Sequence, residues 1–306
     1  MHRALSETVT KNYQDLLGDI ANSFPSFRAS EAAIAHSVLD HPEHVARMNI
    51  SQLATFSSTS VASVVRFSKA MGFKGFPDFR MALVGELSRR EHLGINGSEL
   101  DGGITLQDSP EEVIRKISQA DARAIQSTAE RLDVKNFVAT VDAWDNAKSI
   151  GLIGIASSGY VVMDLQLKLN RLGKSATAWT DAHSALTSIS LLKPNDVLVA
   201  VSHSGTTLDI VDVMSEFKSR GVTVVLITNN FRGPAAAIAD LVLFTSARET
   251  TFRSGATASR IAQLTVVDCL CVALAQRNWK DTKAALDLSR KVVGSRSGKK
   301  PDIQTD

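Results

Sequence analysis

The chain has 306 residues, of which 44% are hydrophobic and 22% are charged, and its formal net charge is +2. This composition can fill the cores of two domains, and it argues against a globally disordered chain and against a basic protein that coats polyanions. The two cysteines, Cys269 and Cys271, stand two residues apart, a spacing that suits neither a metal site nor a disulfide, so we expect a reducing compartment.

The sequence favours a cytoplasmic protein without a membrane partner. No apolar run approaches the roughly 18 residues that a membrane-spanning helix needs. The first residues, MHRALSETVTKNYQ, lack the apolar core of an export signal.

Residues 1–92 have helical periodicity throughout and contain the pattern of a helix-turn-helix. A short helix in ISQLATFSS is followed by a Ser-Thr turn and by a longer helix in TSVASVVRFSKAMGF, which ends at Gly72. We expect Ser60 to be the N-cap of this second helix, with Val64, Val65 and Phe67 available for the core. The residues expected on its exposed face, which would enter the major groove of DNA, are Val61, Ser63, Arg66 and Lys69.

The charge of this segment suits contact with DNA phosphates. Seven basic residues lie between Arg47 and Arg90, against the two acids Asp78 and Glu86. An ordinary helical bundle with solvated basic side chains is the alternative. The nearby histidines of His41-Pro42-Glu43-His44 suggest a metal site at first, but the proline breaks helical spacing, so we expect a loop and no metal.

A glycine-rich stretch, residues 93–108, is predicted to be a linker. The next helix has a strong start signal, with Ser109 as N-cap, Pro110 in the first turn and Glu112 three residues after the cap. A second domain is predicted over 109–276, followed by a polar C-terminal tail over 277–306.

Five apolar runs in the second domain read as strands that are buried on both faces. Segments of helical length separate the runs, and this alternation predicts a parallel sheet with helices on both sides. The predicted strands are 149–155, 175–179, 196–201, 222–228 and 241–245.

Two segments rich in hydroxyl side chains follow predicted strands. The first is Ser202-His203-Ser204-Gly205-Thr206-Thr207, and the second is Ala156-Ser157-Ser158-Gly159. Each leads into a helix, whose first turn offers unpaired backbone N–H groups to an anion. Because ligands of parallel sheets bind at the carboxyl edge, we expect both segments to meet there around one phosphate monoester. The alternative is that Thr206 or Thr207 caps a helix and the serines are turn residues.

These segments resemble the sugar isomerase (SIS) domain, in GIASSGYVVMD, VSHSGTTLDIV and TASRIAQLTVVD. The resemblance implies that an S-x-S-G-x-T loop holds the phosphate of a phosphosugar. The residues that match the phosphate-binding positions are Ser202, Ser204, Gly205, Thr207, Ser158 and Ser157. His203 and Thr206 fall at variable positions that tune specificity, and Ala156 stands where a glycine is frequent.

The segment SVVRFSKAMGFKGFPDFRMAL resembles the helix-turn-helix of the RpiR family of bacterial transcriptional regulators. The resemblance implies an all-α DNA-binding domain joined to an α/β SIS domain with a five-stranded parallel sheet. It implies a regulator of carbohydrate metabolism that needs no cofactor, binds an operator as a homodimer or homotetramer, and responds to a phosphosugar. Ser60, Val61 and Ser63 would reach bases, while Arg66, Lys69 and Lys74 would meet phosphates.

Two further residues keep other functions open. His183 lies near the ligand edge, where it either contacts a sugar hydroxyl or simply begins a helix. Glu249 follows the last strand, and SIS enzymes use a glutamate as acid and base, so a phosphosugar isomerase or lyase with a helical appendage is an alternative function. A surface position for Glu249 and a scaffold that binds no DNA are the remaining interpretations.

Overall fold

The structure is a computed structural model that describes residues 16–24, 27–92, 104–247 and 257–294. The chain divides into two compact units, Met1–Leu100 and Asp101–Asp306. The division falls inside the predicted linker, of which residues 104–108 are described. There the Thr105 N–H donates to the Asp108 carboxylate at 3.0 Å, and Asp108 pairs with Lys116 at 2.8 Å.

The described part of the first unit contains helices and no strand. Its six helices are α1 (Leu16–Ser23), α2 (Ala29–Asp40), α3 (Pro42–Arg47), α4 (Ile50–Phe56), α5 (Val61–Ala70) and α6 (Phe76–His92). Their core is aromatic, since the Phe67 and Phe79 rings lie 5.5 Å apart and Phe73 contacts Phe79 at the same distance. Leu53 and Val64 complete the core with no exposed surface.

Helix α3 lies where the sequence predicts a loop. Asp40 ends α2, and Pro42 begins α3 at a position where its missing N–H costs no hydrogen bond. The His41 and His44 rings contact Phe56 edge-on at 5.6 and 5.5 Å. The two histidines therefore pack on an aromatic ring, and no cluster of three or more metal-binding side chains occurs among the described residues.

The second unit contains five strands and most of its helices in alternation, as the apolar runs predict. Its elements are α7 (Pro110–Arg131), α8 (Val134–Asn146), β1 (Ile150–Gly154), α9 (Ser157–Arg171), β2 (Ala176–Trp179), α10 (Ala182–Thr187), β3 (Val197–Val201), α11 (Leu208–Ser219), β4 (Thr223–Thr228), α12 (Pro234–Ile238), β5 (Leu241–Phe244), α13 (Thr257–Arg277) and α14 (Trp279–Gly294). The predicted start of α7 is confirmed, because Ser109 and Glu112 exchange side-chain-to-backbone hydrogen bonds at 2.9 and 3.3 Å.

The sheet is parallel, with the strand order β2-β1-β3-β4-β5. Val197, Val199 and Val201 of β3 face the layer of α8, α9 and α13, whereas Leu198 and Ala200 face the layer of α10, α11 and α12. The central strands β1, β3 and β4 are thus covered on both sides, which explains why their apolar runs are nearly continuous. The fold class predicted from the sequence is confirmed.

The C-terminal tail and the hydropathy of α13 differ from the sequence expectations. Residues 279–294, predicted as part of a polar tail, form α14, whose Ala285 methyl lies near Gly173 and whose Thr282 is buried. Residues 258–277 of α13 are long and apolar enough to span a membrane by composition alone, with mean hydropathy 1.5. Val266, Val267 and Leu270 of α13 belong to the core beneath the sheet, so α13 has the packing of a core helix.

Candidate functional site

The strand order creates a crevice at the carboxyl ends of β1 and β3. The chain leaves β1 through α9 to reach β2 on one side, then returns to place β3 on the other side of β1. Ligands of open parallel sheets bind at such a reversal of strand order. A pocket of about 230 Å³ lies there.

The two hydroxyl-rich segments line this one pocket, so the expectation that they meet at one edge is confirmed. One wall is formed by residues 155–158 and the other by residues 201–204. Thr207 and Ile210 also line the pocket. Gly205 and Thr206 belong to the second segment but are not among the lining residues. The role of these residues in binding a phosphate stays a prediction.

In the first wall, helix α9 begins earlier in the chain than the sequence pattern indicates. Ser157 and Ser158 belong to the first turn of the helix and not to a preceding loop. Ala156 adopts φ 53° and ψ −123° just before them, a conformation that costs a residue with a side chain roughly 1–3 kcal/mol. A glycine would adopt this conformation without the steric cost of a β-carbon.

The second wall is a tight turn whose residues form hydrogen bonds with one another. The Gly205 N–H donates to the Ser202 hydroxyl at 3.2 Å, and the Thr206 hydroxyl bonds the Ser204 hydroxyl at 3.1 Å. Gly205 has φ 62°, and a β-carbon there would lie 3.1 Å from the Thr228 hydroxyl. Thr207 ends the turn as the N-cap residue of α11, without a capping bond from its side chain.

The carboxyl end of β4 supports this turn from behind. The Asn229 N–H donates to the His203 carbonyl at 3.1 Å, and the Asn230 side chain donates to the Ser204 carbonyl at 2.9 Å. Thr228 adds a hydroxyl bond to the His203 carbonyl at 3.3 Å. Sequence reasoning missed these three residues, although polar side chains directly after the apolar run VTVVLIT were an available signal.

His183 and Glu249, the two residues that keep other functions open, have different outcomes. His183 is exposed in the first turn of α10 and is not among the pocket-lining residues. The helix is capped by Asp181, whose pKa is lowered mainly by the bond from the Ser184 backbone N–H at 2.8 Å. Glu249 lies outside the described residues.

The first unit contains the predicted helix-turn-helix in α4 and α5. The Thr59 N–H donates to the Ala54 carbonyl at 2.8 Å and closes α4, while Ser58 adopts φ 51°. The Ser60 hydroxyl accepts from the Ser63 N–H at 3.1 Å, which confirms Ser60 as the N-cap of α5. Val65 is only partly buried, whereas Val64 is fully buried.

Ser63 does not lie on the exposed face of α5, which corrects the sequence expectation. It is buried on the same face as Val64 and Phe67. Its hydroxyl bonds the Ser60 hydroxyl and accepts from the Arg66 guanidinium, each at 2.9 Å. The other predicted DNA-contacting residues are exposed, namely Ser60, Val61, Arg66, Lys69 and Lys74. Ser63 therefore orients Arg66, and its own contact with a base is not supported.

The pocket has the chemistry of an anion site. The first turns of α9 and α11 both begin at its rim, and each places the partial positive charge of a helix N-terminus there. Serine and threonine hydroxyls add short donors, while the Ile155, Val201 and Ile210 side chains reduce the local polarity. Hydrogen bonds to an anion are stronger in such surroundings than in water.

Comparison with known proteins gives matches over both units. The model of the helix-turn-helix domain of the rpiR family matches residues 14–90, and the model of the SIS domain matches residues 145–273. A solved structure, the Vibrio vulnificus NanR protein complexed with ManNAc-6P, is 28% identical, with a TM-score of 0.60. It covers 93% of this chain and 100% of the NanR chain.

Two curated relatives match almost end to end. An HTH-type transcriptional regulator of Caldanaerobacter subterraneus subsp. tengcongensis is 37% identical over 92% of this chain and 98% of its own length. The HTH-type transcriptional regulator YbbH of Bacillus subtilis is 31% identical over 87% of this chain and 92% of its own length. The chain therefore belongs to the RpiR family of HTH-type transcriptional regulators, which join a helix-turn-helix domain to an SIS domain.

Proposed function

We propose that the chain is a cytoplasmic regulator of carbohydrate metabolism whose affinity for its operator changes when a phosphosugar binds in the SIS domain. The observation that carries this proposal is the convergence of residues 155–158 and 201–204 on one pocket. Hydroxyl groups and two helix N-termini suit the dianionic phosphate of such a ligand, and ManNAc-6P in the NanR complex is itself a phosphorylated sugar.

The first unit would bind the operator through α5. Ser60 and Val61 at its start are exposed and would face base edges, while Arg66, Lys69 and Lys74 would contact phosphates. The hydrogen bond from Arg66 to Ser63 holds the guanidinium against the helix. Because the side chain is already ordered, a contact with phosphate would cost less side-chain entropy. A homodimer or homotetramer would bind a palindromic site.

The effector would act by binding more tightly to one of two arrangements of the regulator than to the other. A ligand with equal affinity for both arrangements would shift nothing, whatever its affinity. Operator affinity is therefore expected to change by about 5–150-fold between the free and the ligand-saturated protein.

The test combines two measurements on the full chain. A thermal-shift screen of sugar phosphates, with ManNAc-6P and inorganic phosphate included, identifies the ligand, because a ligand of the folded state raises its apparent stability. Gel-shift titration on DNA upstream of the protein's own gene, with and without that ligand, then measures the change in operator affinity. If no ligand condition gives salt-sensitive, sequence-dependent DNA binding, the proposed function as a regulator is refuted.

Two serine variants locate the ligand. Ser204→Ala should weaken binding of the identified phosphosugar at least about tenfold, since it removes a donor to a charged group. Ser215→Ala is the matched control, because Ser215 is exposed on α11 and its hydroxyl bonds the Val211 carbonyl within that helix. Equal affinity of the two variants would place the ligand elsewhere.

Binding without catalysis is part of the proposal, and the names of the relatives as transcriptional regulators support it. The alternative, an isomerase or lyase, requires an acid-base group, for which Glu249 is the sequence candidate. Turnover of a ketose or aldose phosphate that disappears in Glu249→Gln would establish the enzyme and refute this part of the proposal.

A further inference from the structure

A continuous set of hydrogen bonds connects the pocket to α7. Its first bond joins the second wall of the pocket to β4, where the Asn229 N–H donates to the His203 carbonyl at 3.1 Å. His203 lines the pocket, so a displacement of its peptide group changes the geometry of this bond directly.

The Asn229 side chain continues the path to the segment that follows β5. Its amide oxygen accepts from the Ala247 N–H at 2.9 Å and from the Thr245 hydroxyl at 3.2 Å, and its amide nitrogen donates to the Ala247 carbonyl at 3.1 Å. Asn229 is 3% exposed, and both of its partner residues, Thr245 and Ala247, are buried. One side chain therefore fixes the position of residues 245–247 relative to the pocket wall.

The path ends on α7. Between Thr245 and Ala247, the Ser246 N–H donates to the Thr128 hydroxyl at 2.9 Å, and Thr128 has no exposed surface. Helix α7 is the first helix after the predicted linker, so it is the element of the second unit that the chain joins most directly to the DNA-binding unit.

We propose that Asn229 and Thr128 are positioning residues that transmit occupancy of the pocket to α7. The inference rests on the proposed function, because it assumes that the pocket binds an effector. Buried hydrogen bonds of this kind couple the residues that they join, because a buried N–H that loses its acceptor cannot form a hydrogen bond with water instead. A shift of the His203–Ser204 turn thus displaces residues 245–247 and, through Ser246, the last turns of α7.

The first test needs no ligand. Amide hydrogen exchange of the full chain is compared between wild type and Thr128→Val, which keeps the shape of the side chain but removes the acceptor of Ser246. We expect exchange at residues 202–207 and 245–247 to rise at least about fivefold. Thr128→Ser restores the hydroxyl and should return both segments to the wild-type rates.

Thr140→Val is the matched control for this experiment. Thr140 is also fully buried in a helix of the same unit, but its hydroxyl bonds the Asn136 carbonyl within α8. It should leave exchange at residues 202–207 unchanged. If Thr128→Val does not fold, Thr245→Val removes one bond to Asn229 and provides the same comparison. Wild-type exchange at residues 202–207 in the folded variants would overturn the proposal.

The second test uses inorganic phosphate and ManNAc-6P as probes. We expect protection of residues 202–207 and of residues 124–131 in the wild type. In Thr128→Val the protection of 124–131 should disappear, while the dissociation constant of the probe stays within about twofold. Protection of 202–207 without protection of 124–131 in the wild type overturns the relay and leaves the proposed function intact. Failure of both probes, and of every sugar phosphate in the thermal-shift screen, to protect 202–207 overturns the proposed function and the relay with it.

Discussion

Gly233 packs directly against the backbone of Gly205, and a β-carbon on Gly233 would lie only 2.7 Å from the Gly205 carbonyl oxygen. The same carbonyl accepts a hydrogen bond from the Ala235 N–H at 3.1 Å. The N-terminus of α12 therefore packs against the turn that forms one wall of the pocket. The shape of this turn depends on residues that do not line the pocket themselves.

Gly233→Ala is expected to lower both stability and affinity for phosphate esters. The added methyl group meets backbone atoms that cannot rotate away, so the free energy of unfolding should fall by about 1–3 kcal/mol. Thermal unfolding and phosphosugar titration measure the two effects. Gly75→Ala is the control, because its nearest contact would be an ordinary 3.7 Å to Pro77. A Gly233→Ala protein with unchanged ligand affinity would show that the contact does not shape the turn.

Ala156→Gly is expected to stabilise the second unit. Ala156 has φ 53° and ψ −123°, and glycine removes the clash of the β-carbon at the cost of a more flexible unfolded chain. The net gain should be about 1 kcal/mol, or about 2–4 °C in Tm for a unit of this size.

Ala122→Gly is the comparison for that variant. Ala122 is exposed in the middle of α7, where glycine should lose about 1 kcal/mol of stability. Opposite signs of the two Tm shifts are the expected result. A decrease for both variants would mean that Ala156 is not strained.

Arg66→Ala is expected to weaken DNA binding in a manner that depends on salt. Loss of one phosphate contact should reduce the slope of log affinity against log salt by about 1. Ser63 retains its bond to Ser60, so the fold of α5 should survive. Lys148→Ala removes an exposed cation from the second unit and should leave the slope unchanged. Equal slopes for wild type and Arg66→Ala would exclude the proposed contact.

The two cysteines should differ in reactivity toward a thiol reagent at pH 8. Cys269 is exposed, whereas burial raises the pKa of the Cys271 thiol to about 12 and keeps it in its unreactive protonated form. One thiol per chain should react in the native protein and two after unfolding. Cys269→Ser should abolish the fast reaction, and a fast reaction that persists in this variant would contradict the assignment.

The raised pKa of Cys271 also determines how the stability of the protein changes with pH. The unfolded chain ionises Cys271 near its ordinary pKa of 9.0, whereas the folded chain does so only near 12. The contribution of Cys271 to stability is therefore complete below pH 9 and is lost progressively as the pH rises from 9 toward 12. Cys271→Ala should remove this alkaline component from a plot of unfolding free energy against pH.

Local patterns predicted much of this structure. Ser60 and Ser109 cap helices because the rule for N-caps depends only on neighbouring residues. The central strands appeared as apolar runs since each is covered on both faces. The two hydroxyl-rich segments could be placed at one edge because all parallel strands end at the same edge.

The short helix α3 and the tail helix α14 could not be predicted in this way. Each packs against residues outside its own segment, such as Phe56 for His44 and Gly173 for Ala285. Patterns in one segment carry no information on such partners.

The amino-acid sequence alone determined the two kinds of domain and the hydroxyl groups available for an anion, because both follow from periodicity and residue type. Only the tertiary structure decided that β1 and β3 are neighbours, so that Ser158 and Ser204 share a pocket. It also decided that Asn229 and Asn230 support the pocket from β4. The physical reason is that strand order and buried hydrogen bonds join residues far apart in the chain, and only the packed core selects among such pairings.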